Sequence, residues 1–252
     1  MSIHHQPTGF AIRNYQSISF AGCGALNFYQ TGVGYGLQES GIAERFSYCG
    51  ASAGAGLAFT MAAGLDARQV CATMASWIVE FGAGRVLRPS WAFQIANRFA
   101  SYFVNVESYT RSTGRVGISI TQQRTLRNQV VQNFRSMADL QNALVASCFL
   151  PYPGRLSVEF RATRSMDGGF TDNQPSLGMQ TLKVSPFWFD VRAHLRPSAG
   201  IAVSQALRVP TETQCWNLFN RGLDDFRQWM NLSEAPKYRP GTAASRTLKH
   251  AA

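Results

Sequence analysis

One pentapeptide and its flanks constrain this chain more than any other feature. Residues 46–49 are a short apolar run, residues 50–54 read Gly-Ala-Ser-Ala-Gly, and residues 55–63 are Ala-rich and stopped by Gly64. The order predicts a buried strand, a sharp turn and a helix, and so commits the chain to α/β organisation. A serine at the apex of such a turn needs small neighbours, because flanking side chains would clash, and Ala51 and Ala53 supply them. The helix that follows adds N-terminal N–H groups and a positive dipole end, which favour developing negative charge. Ser52 is therefore a candidate nucleophile, with Gly50 and Gly54 shaping its turn. The same string also describes a Gly/Ala-rich helix start with Ser as its cap.

A second strand–glycine–helix unit precedes it. Residues 17–20 (SISF) lead into AGCGAL, and helical spacing resumes over residues 28–37. Glycines after a strand let backbone N–H groups turn toward an anion. A dinucleotide fingerprint fails here, because Asn27 stands at the third glycine position, and no Gly-Lys-Ser/Thr follows for a phosphate loop. What remains is an oxyanion cradle around Gly22, Cys23, Gly24 and Ala25.

A serine nucleophile needs a base. Of the four histidines, His4, His5 and His250 lie near the chain ends, and His194 sits in a polar stretch that reads as a solvated surface loop. A Ser52–Asp167–His194 triad is one option. Asp167 alone is the better candidate: it follows a strand over residues 158–161 and begins Asp167-Gly168-Gly169, whose glycines let a neighbouring loop approach. An isolated Asp-Gly-Gly is otherwise an ordinary turn.

The remaining pattern supports one domain over residues 15–232, with flexible termini at 1–14 and 233–252. Asp66 caps a helix reaching Phe81, residues 82–89 form a Gly/Arg-rich break, and an aromatic helix follows over 91–103. Strands are expected at 116–121, 128–134 and 181–185. Asp139 caps a helix ended by Pro151 and Pro153, and residues 211–230 read as helical.

Composition excludes several classes. The net charge is +10, carried by 21 Arg and 3 Lys against 14 acids. That balance points to an anionic partner: nucleic acid, acidic lipid or a phosphorylated ligand. No apolar run reaches the roughly 18 residues a membrane span requires. Five cysteines without a CxxC pair are neither a disulfide framework nor a zinc site and fit a reducing compartment. No cofactor or metal is expected.

Together, strand–GxG–helix, strand–GASAG–helix and a distant DGG resemble the patatin-like phospholipase family, in its adipose triglyceride lipase and adiponutrin branch. FAGCGALNFYQTGV resembles the oxyanion segment, CGASAGAG the elbow, ASCFLPYPG the helix before the acidic strand, MDGGFTDNQP the Asp loop, and LKVSPF the strand after it. The resemblance implies a three-layer α/β/α fold with a central, mostly parallel sheet. It implies a Ser–Asp dyad, with Ser52 attacking an ester carbonyl and Asp167 as general base. Backbone N–H groups at residues 22–25 would hold the oxyanion. Gly168, Gly169, Asn173 and Pro175 would shape the Asp loop. Asn27 departs from the family's usual glycine; asparagine tolerates a left-handed backbone, so the loop is expected to survive.

The expected substrate is a long-chain ester, triacylglycerol first and phospholipid or retinyl ester next, with hydrolysis or acyl transfer as the outcome. Trp77, Ile78, Phe81, Trp91, Phe93, Phe99, Tyr102 and Phe103 would line an acyl groove or meet lipid, or simply pack the core. Arg85, Arg88 and Arg98 beside them suit an anionic surface, which implies cytoplasmic protein held peripherally on a membrane or lipid droplet. The alternative is a catalytically silent, lipid-surface binding module. Scattered arginines without a recognised motif argue against nucleic acid.

Overall fold

The computed structural model describes residues 12–234. Seven strands form one sheet: β1 (Ser17–Phe20), β2 (Ser47–Ala51), β3 (Val116–Gln122), β4 (Asn128–Val131), β5 (Val158–Phe160), β6 (Thr163–Asp167) and β7 (Thr181–Val184). Their order is β5-β6-β3-β2-β1-β7, with β4 also pairing β3. β7, β1, β2 and β3 run parallel, whereas β4, β5 and β6 are joined antiparallel. Helices α1 (Asn27–Glu39), α2 (Ala53–Ala62), α3 (Ala67–Ile78), α4 (Pro89–Phe103), α5 (Val106–Ser112), α6 (Met137–Ser147) and α7 (Glu212–Glu234) flank it, giving the three-layer α/β/α architecture.

Burial explains the central elements. β1 is buried at all four positions and β3 at six of seven, as expected of strands covered on both faces. α2 is buried nearly all round, which its small residues permit by letting strand and helix backbones approach closely. Asp66 caps α3 by accepting the N–H groups of Arg68 (2.7 Å) and Gln69 (3.1 Å).

Several boundaries differ from expectation. The cap of α6 is Ser136, whose Oγ accepts the Asp139 N–H (3.2 Å); Asp139 sits inside the first turn and binds the Arg135 N–H and the Arg161 guanidinium. The strand delivering Asp167 is β6, not residues 158–161. β5 and β6 form a hairpin that turns on Arg161 and Ala162, both at positive φ without the usual Gly or Asn signal. α5 was not expected; an Asn105–Ser108 capping box starts it. Ile12–Asn14, placed by the sequence in a flexible terminus, forms a 3-10 turn whose Ile12 joins the core, and α7 runs through residues 233 and 234. The rest of the expected flexible termini, including His4, His5 and His250, lies outside the described residues.

Register places the site. Ala51 of β2 pairs with Ser119 of β3, and Ile120 of β3 pairs with Asp167 of β6. Ser52 and Asp167 therefore stand at the same level on either side of β3. β1 pairs Phe20 with Gly50, which brings the loop after β1 to the same edge.

Candidate functional site

Ser52 sits between β2 and α2 with φ 53° and ψ −132°, a conformation that costs a non-glycine residue about 1–3 kcal/mol. The surroundings fix it there. A Cβ on Gly50 would lie 2.4 Å from the Gly54 carbonyl, and one on Gly54 2.3 Å from the Phe20 carbonyl, so the turn closes only with glycine at both positions. The Ser52 N–H donates to Ser147 Oγ (2.9 Å), which in turn donates to the Ser119 carbonyl (2.7 Å). Ser52 itself lines a cavity shared with Asp167.

Asp167 ends β6 and is 3% exposed. Its Oδ1 accepts the Gly169 N–H (2.7 Å), while Oδ2 has no hydrogen bond of full geometry. Burial pushes the carboxyl up to about 6; the neighbouring Ser52 hydroxyl and the Gly169 N–H oppose that rise. Serine and carboxylate are thus adjacent, as proton transfer between them requires. Gly168 lies against β3, where a Cβ would meet the Ser119 carbonyl at 2.1 Å.

Asn173 ties the two loops together. Its Nδ2 donates to the Gly22 carbonyl (3.1 Å), and the Gly22 N–H donates to the Asn173 carbonyl (3.1 Å). The Gly22 N–H is therefore already engaged. The N–H groups of Cys23, Gly24 and Ala25 pair with no acceptor among the described residues, and neither does that of Ala53 in the first turn of α2. Gly24 has φ +54° and a backbone contact that would leave a Cβ 2.3 Å from the Ala206 carbonyl, so glycine is required there on both counts. The Pro175 carbonyl accepts a hydrogen bond from Cys49 Sγ (3.2 Å), anchoring the loop's far end under β2.

Asn27, weighed in the sequence as a residue that tolerates a left-handed backbone, is not called on to adopt one. Its φ of −60° is that of an ordinary helix start, and the demand for positive φ falls on Gly24. Its orientation follows from Gln30. That buried side chain accepts the Ala21 N–H at Oε1 (2.9 Å) and donates from Nε2 to the Ala21 carbonyl (2.8 Å), Cys23 Sγ (3.0 Å) and Asn27 Oδ1 (3.2 Å). Asn27 Nδ2 is then the group left over. Gln30 and Ser147 were missed in the sequence, and Ala53 was read there only as a small neighbour of the candidate nucleophile.

His194 is not part of this cluster. Its Nδ1 accepts the Lys183 N–H (2.9 Å) and its ring packs edge-on against Tyr15, so it is half-buried, not solvated. Burial and Lys183 lower its pKa.

Ser52, Asp167, Asn27 and the residue 22–25 loop open into one cavity of about 450 Å³. Its walls are apolar, among them Leu57, Met74, Ile78, Ile95, Phe99 and Leu144. Of the aromatic group named from sequence, only Ile78 and Phe99 line it. Trp77 and Phe103 are buried in the core, Phe81, Trp91 and Phe93 pack against it, and Tyr102 is exposed. Arg98 is engaged by Glu80 (2.8 Å) and lies over Trp77. Among the described residues no helix is long and apolar enough to cross a membrane.

Fold and site together define an α/β protein with a serine at a strained strand–helix turn beside a buried carboxylate. No family model matches the chain. It is 31% identical over 180 residues to the human 1-acylglycerol-3-phosphate O-acyltransferase PNPLA3, 32% over 181 residues to omega-hydroxyceramide transacylase of Mus musculus, and 33% over 180 residues to human patatin-like phospholipase domain-containing protein 2. Each match covers 68% of this chain, but only 37%, 30% and 36% of the respective relative. The chain belongs to the patatin-like phospholipase family.

Proposed function

We propose that the protein is a serine lipid acyl hydrolase using a Ser52–Asp167 dyad. The observation that carries this is the convergence of Ser52, Asp167 and the unpaired N–H groups of residues 23–25 in one apolar cavity. Near neutral pH the buried carboxyl, with its pKa about 6, is mostly ionised and accepts the Ser52 proton as Oγ attacks the ester carbonyl. The N–H groups of Cys23, Gly24 and Ala25 stabilise the oxyanion, with Ala53 as a further donor. Collapse of the intermediate returns the proton from Asp167 to the departing alkoxide and leaves an acyl group on Ser52. Water, deprotonated by the same carboxylate, then releases the fatty acid; an acceptor alcohol in its place gives acyl transfer.

The cavity's apolar walls favour a long acyl chain, and triacylglycerol is the leading substrate, ahead of phospholipid and retinyl ester. The relatives' names, a phospholipase-domain protein, an acyltransferase and a transacylase, support both outcomes of the acyl-enzyme. We place the protein at a lipid–water interface in the cytoplasm, a membrane or lipid droplet. Hydrolysis of a long-chain triacylglycerol emulsion tests the mechanism: Ser52→Ala and Asp167→Ala should lose it and His194→Ala should keep it. Loss in His194→Ala with retention in Asp167→Ala would replace the dyad.

A further inference from the structure

Several cavity-lining residues are also exposed, which marks them as the cavity's mouth. Phe170 is 56% exposed, Val203 45% and Leu207 59%. The apolar ring continues outward. Phe187 lines the cavity and meets Phe189 in a tilted ring pair (5.6 Å); Phe189 contacts Trp188 edge-on (5.8 Å), and Trp188 and Phe189 are themselves half exposed. A short antiparallel pairing joins residues 84–87 to 207–209, and its Leu87 and Leu207 also line the cavity. Leu87 N–H donates to the Leu207 carbonyl, Val209 N–H to the Arg85 carbonyl, and Gly84 N–H to the Val209 carbonyl, each at 2.8 Å. Exposed Val86 is paired with Arg208, and exposed Leu207 with Leu87.

The same pairing assembles cations. Arg85, Arg88 and Arg208 are exposed on or next to it. None has a carboxylate partner among the described residues, unlike Arg98, Arg111, Arg115, Arg161, Arg192 and Arg227. Arg85 and Arg88 instead lie over Trp91, at 5.2 and 5.1 Å from its ring centre. An aromatic ring carries no formal charge, so both guanidinium groups remain cations without a counter-charge there.

We infer that the cavity mouth is the docking face for an anionic phospholipid surface: Phe170, Trp188, Phe189, Val203 and Leu207 enter the interface while Arg85, Arg88 and Arg208 meet phosphate headgroups. Aromatic and aliphatic side chains ringed by arginine are what such an interface selects. The continuity of the ring with the cavity favours lipid over another occupant, because it opens the Ser52 chamber directly onto the phase that holds the substrate. This inference rests on the lipid-ester function proposed above, but it is tested by binding, which needs no catalysis.

The test is flotation of the full chain with phosphatidylcholine vesicles, with and without phosphatidylglycerol, alongside hydrolysis of a soluble short-chain nitrophenyl ester. Each exposed Arg→Gln change should weaken binding to anionic vesicles about fivefold, and the loss should shrink as salt is raised. R85Q/R88Q should therefore lose about 25-fold there and little on neutral vesicles, while R85K/R88K retains binding. W188S/F189S should weaken binding to both vesicle types by about tenfold or more. All three variants should keep soluble-ester hydrolysis. Unchanged vesicle binding in R85Q/R88Q and W188S/F189S, or a wild type that does not float, would overturn the docking face. So would a wild-type dimer that W188S/F189S dissolves without any vesicle binding, since a second copy then covers the patch. A wild type that floats but hydrolyses neither ester would sink the proposed function and leave the docking face standing.

Discussion

Replacing Asp167 with asparagine removes the charge while keeping the shape, and the consequence for stability can be worked out from the carboxyl's surroundings. Its pKa rises from an ordinary 3.8 to about 6 because it is buried at the end of β6. At low pH the folded and unfolded chains both hold this proton. As pH rises, the unfolded chain releases it first, and above about 6 the folded chain carries a buried charge that costs it stability. A shift of roughly two units corresponds to about 3 kcal/mol, present in the acid range and lost as pH climbs through 6. The asparagine side chain would still accept the Gly169 N–H through its carbonyl oxygen, so the loop's local bond survives. Asp167→Asn should accordingly be more stable than the wild type by up to about 3 kcal/mol near pH 8, and about equal to it near pH 4, while losing activity. Guanidinium unfolding at the two pH values measures this. A gain of the same size at both, or a loss near pH 8, would refute burial as the source of the raised pKa.

Other outcomes follow from the same geometry. The pH dependence of kcat/KM on a soluble ester should fall about tenfold per unit below an apparent pKa of about 6, because the protonated carboxyl cannot accept the serine proton. Gly24→Ala should abolish turnover, since the new methyl meets the Ala206 carbonyl and the residue must keep φ +54°; unaltered kcat would detach that loop from the oxyanion. Ser147→Ala should cost about 1–3 kcal/mol in thermal unfolding and lower kcat more than it raises KM, because the Ser52 N–H loses its buried acceptor.

The core of the site was legible where chemistry forces residue type. Close packing requires Gly50 and Gly54, and the strained turn exposes Ser52; these marks are local and survive in the sequence. Asp167 was legible only through its order after the other two elements. Its strand was misplaced, because the hairpin before it turns on Arg161 and Ala162, residues without turn preference. Ser147 and Gln30 were invisible because each acts through a partner distant in sequence or through backbone atoms. The cavity walls were also hidden. They come from α2, α3, α4, α6 and the loops around 187 and 203, and the 91–103 aromatics mostly pack the core instead. The departure from glycine at Asn27 carries no backbone demand, because its φ is helical and the positive φ falls on Gly24.

The central claim is that Ser52 is activated by Asp167 to form an acyl-enzyme. Covalent labelling with a fluorophosphonate, read by intact mass and peptide mapping, tests it most directly. One adduct on Ser52 is expected in the wild type, none in Ser52→Ala, a much slower reaction in Asp167→Asn and an unchanged one in His194→Ala. A folded wild type that stays unlabelled, or an adduct on any other residue, would contradict it.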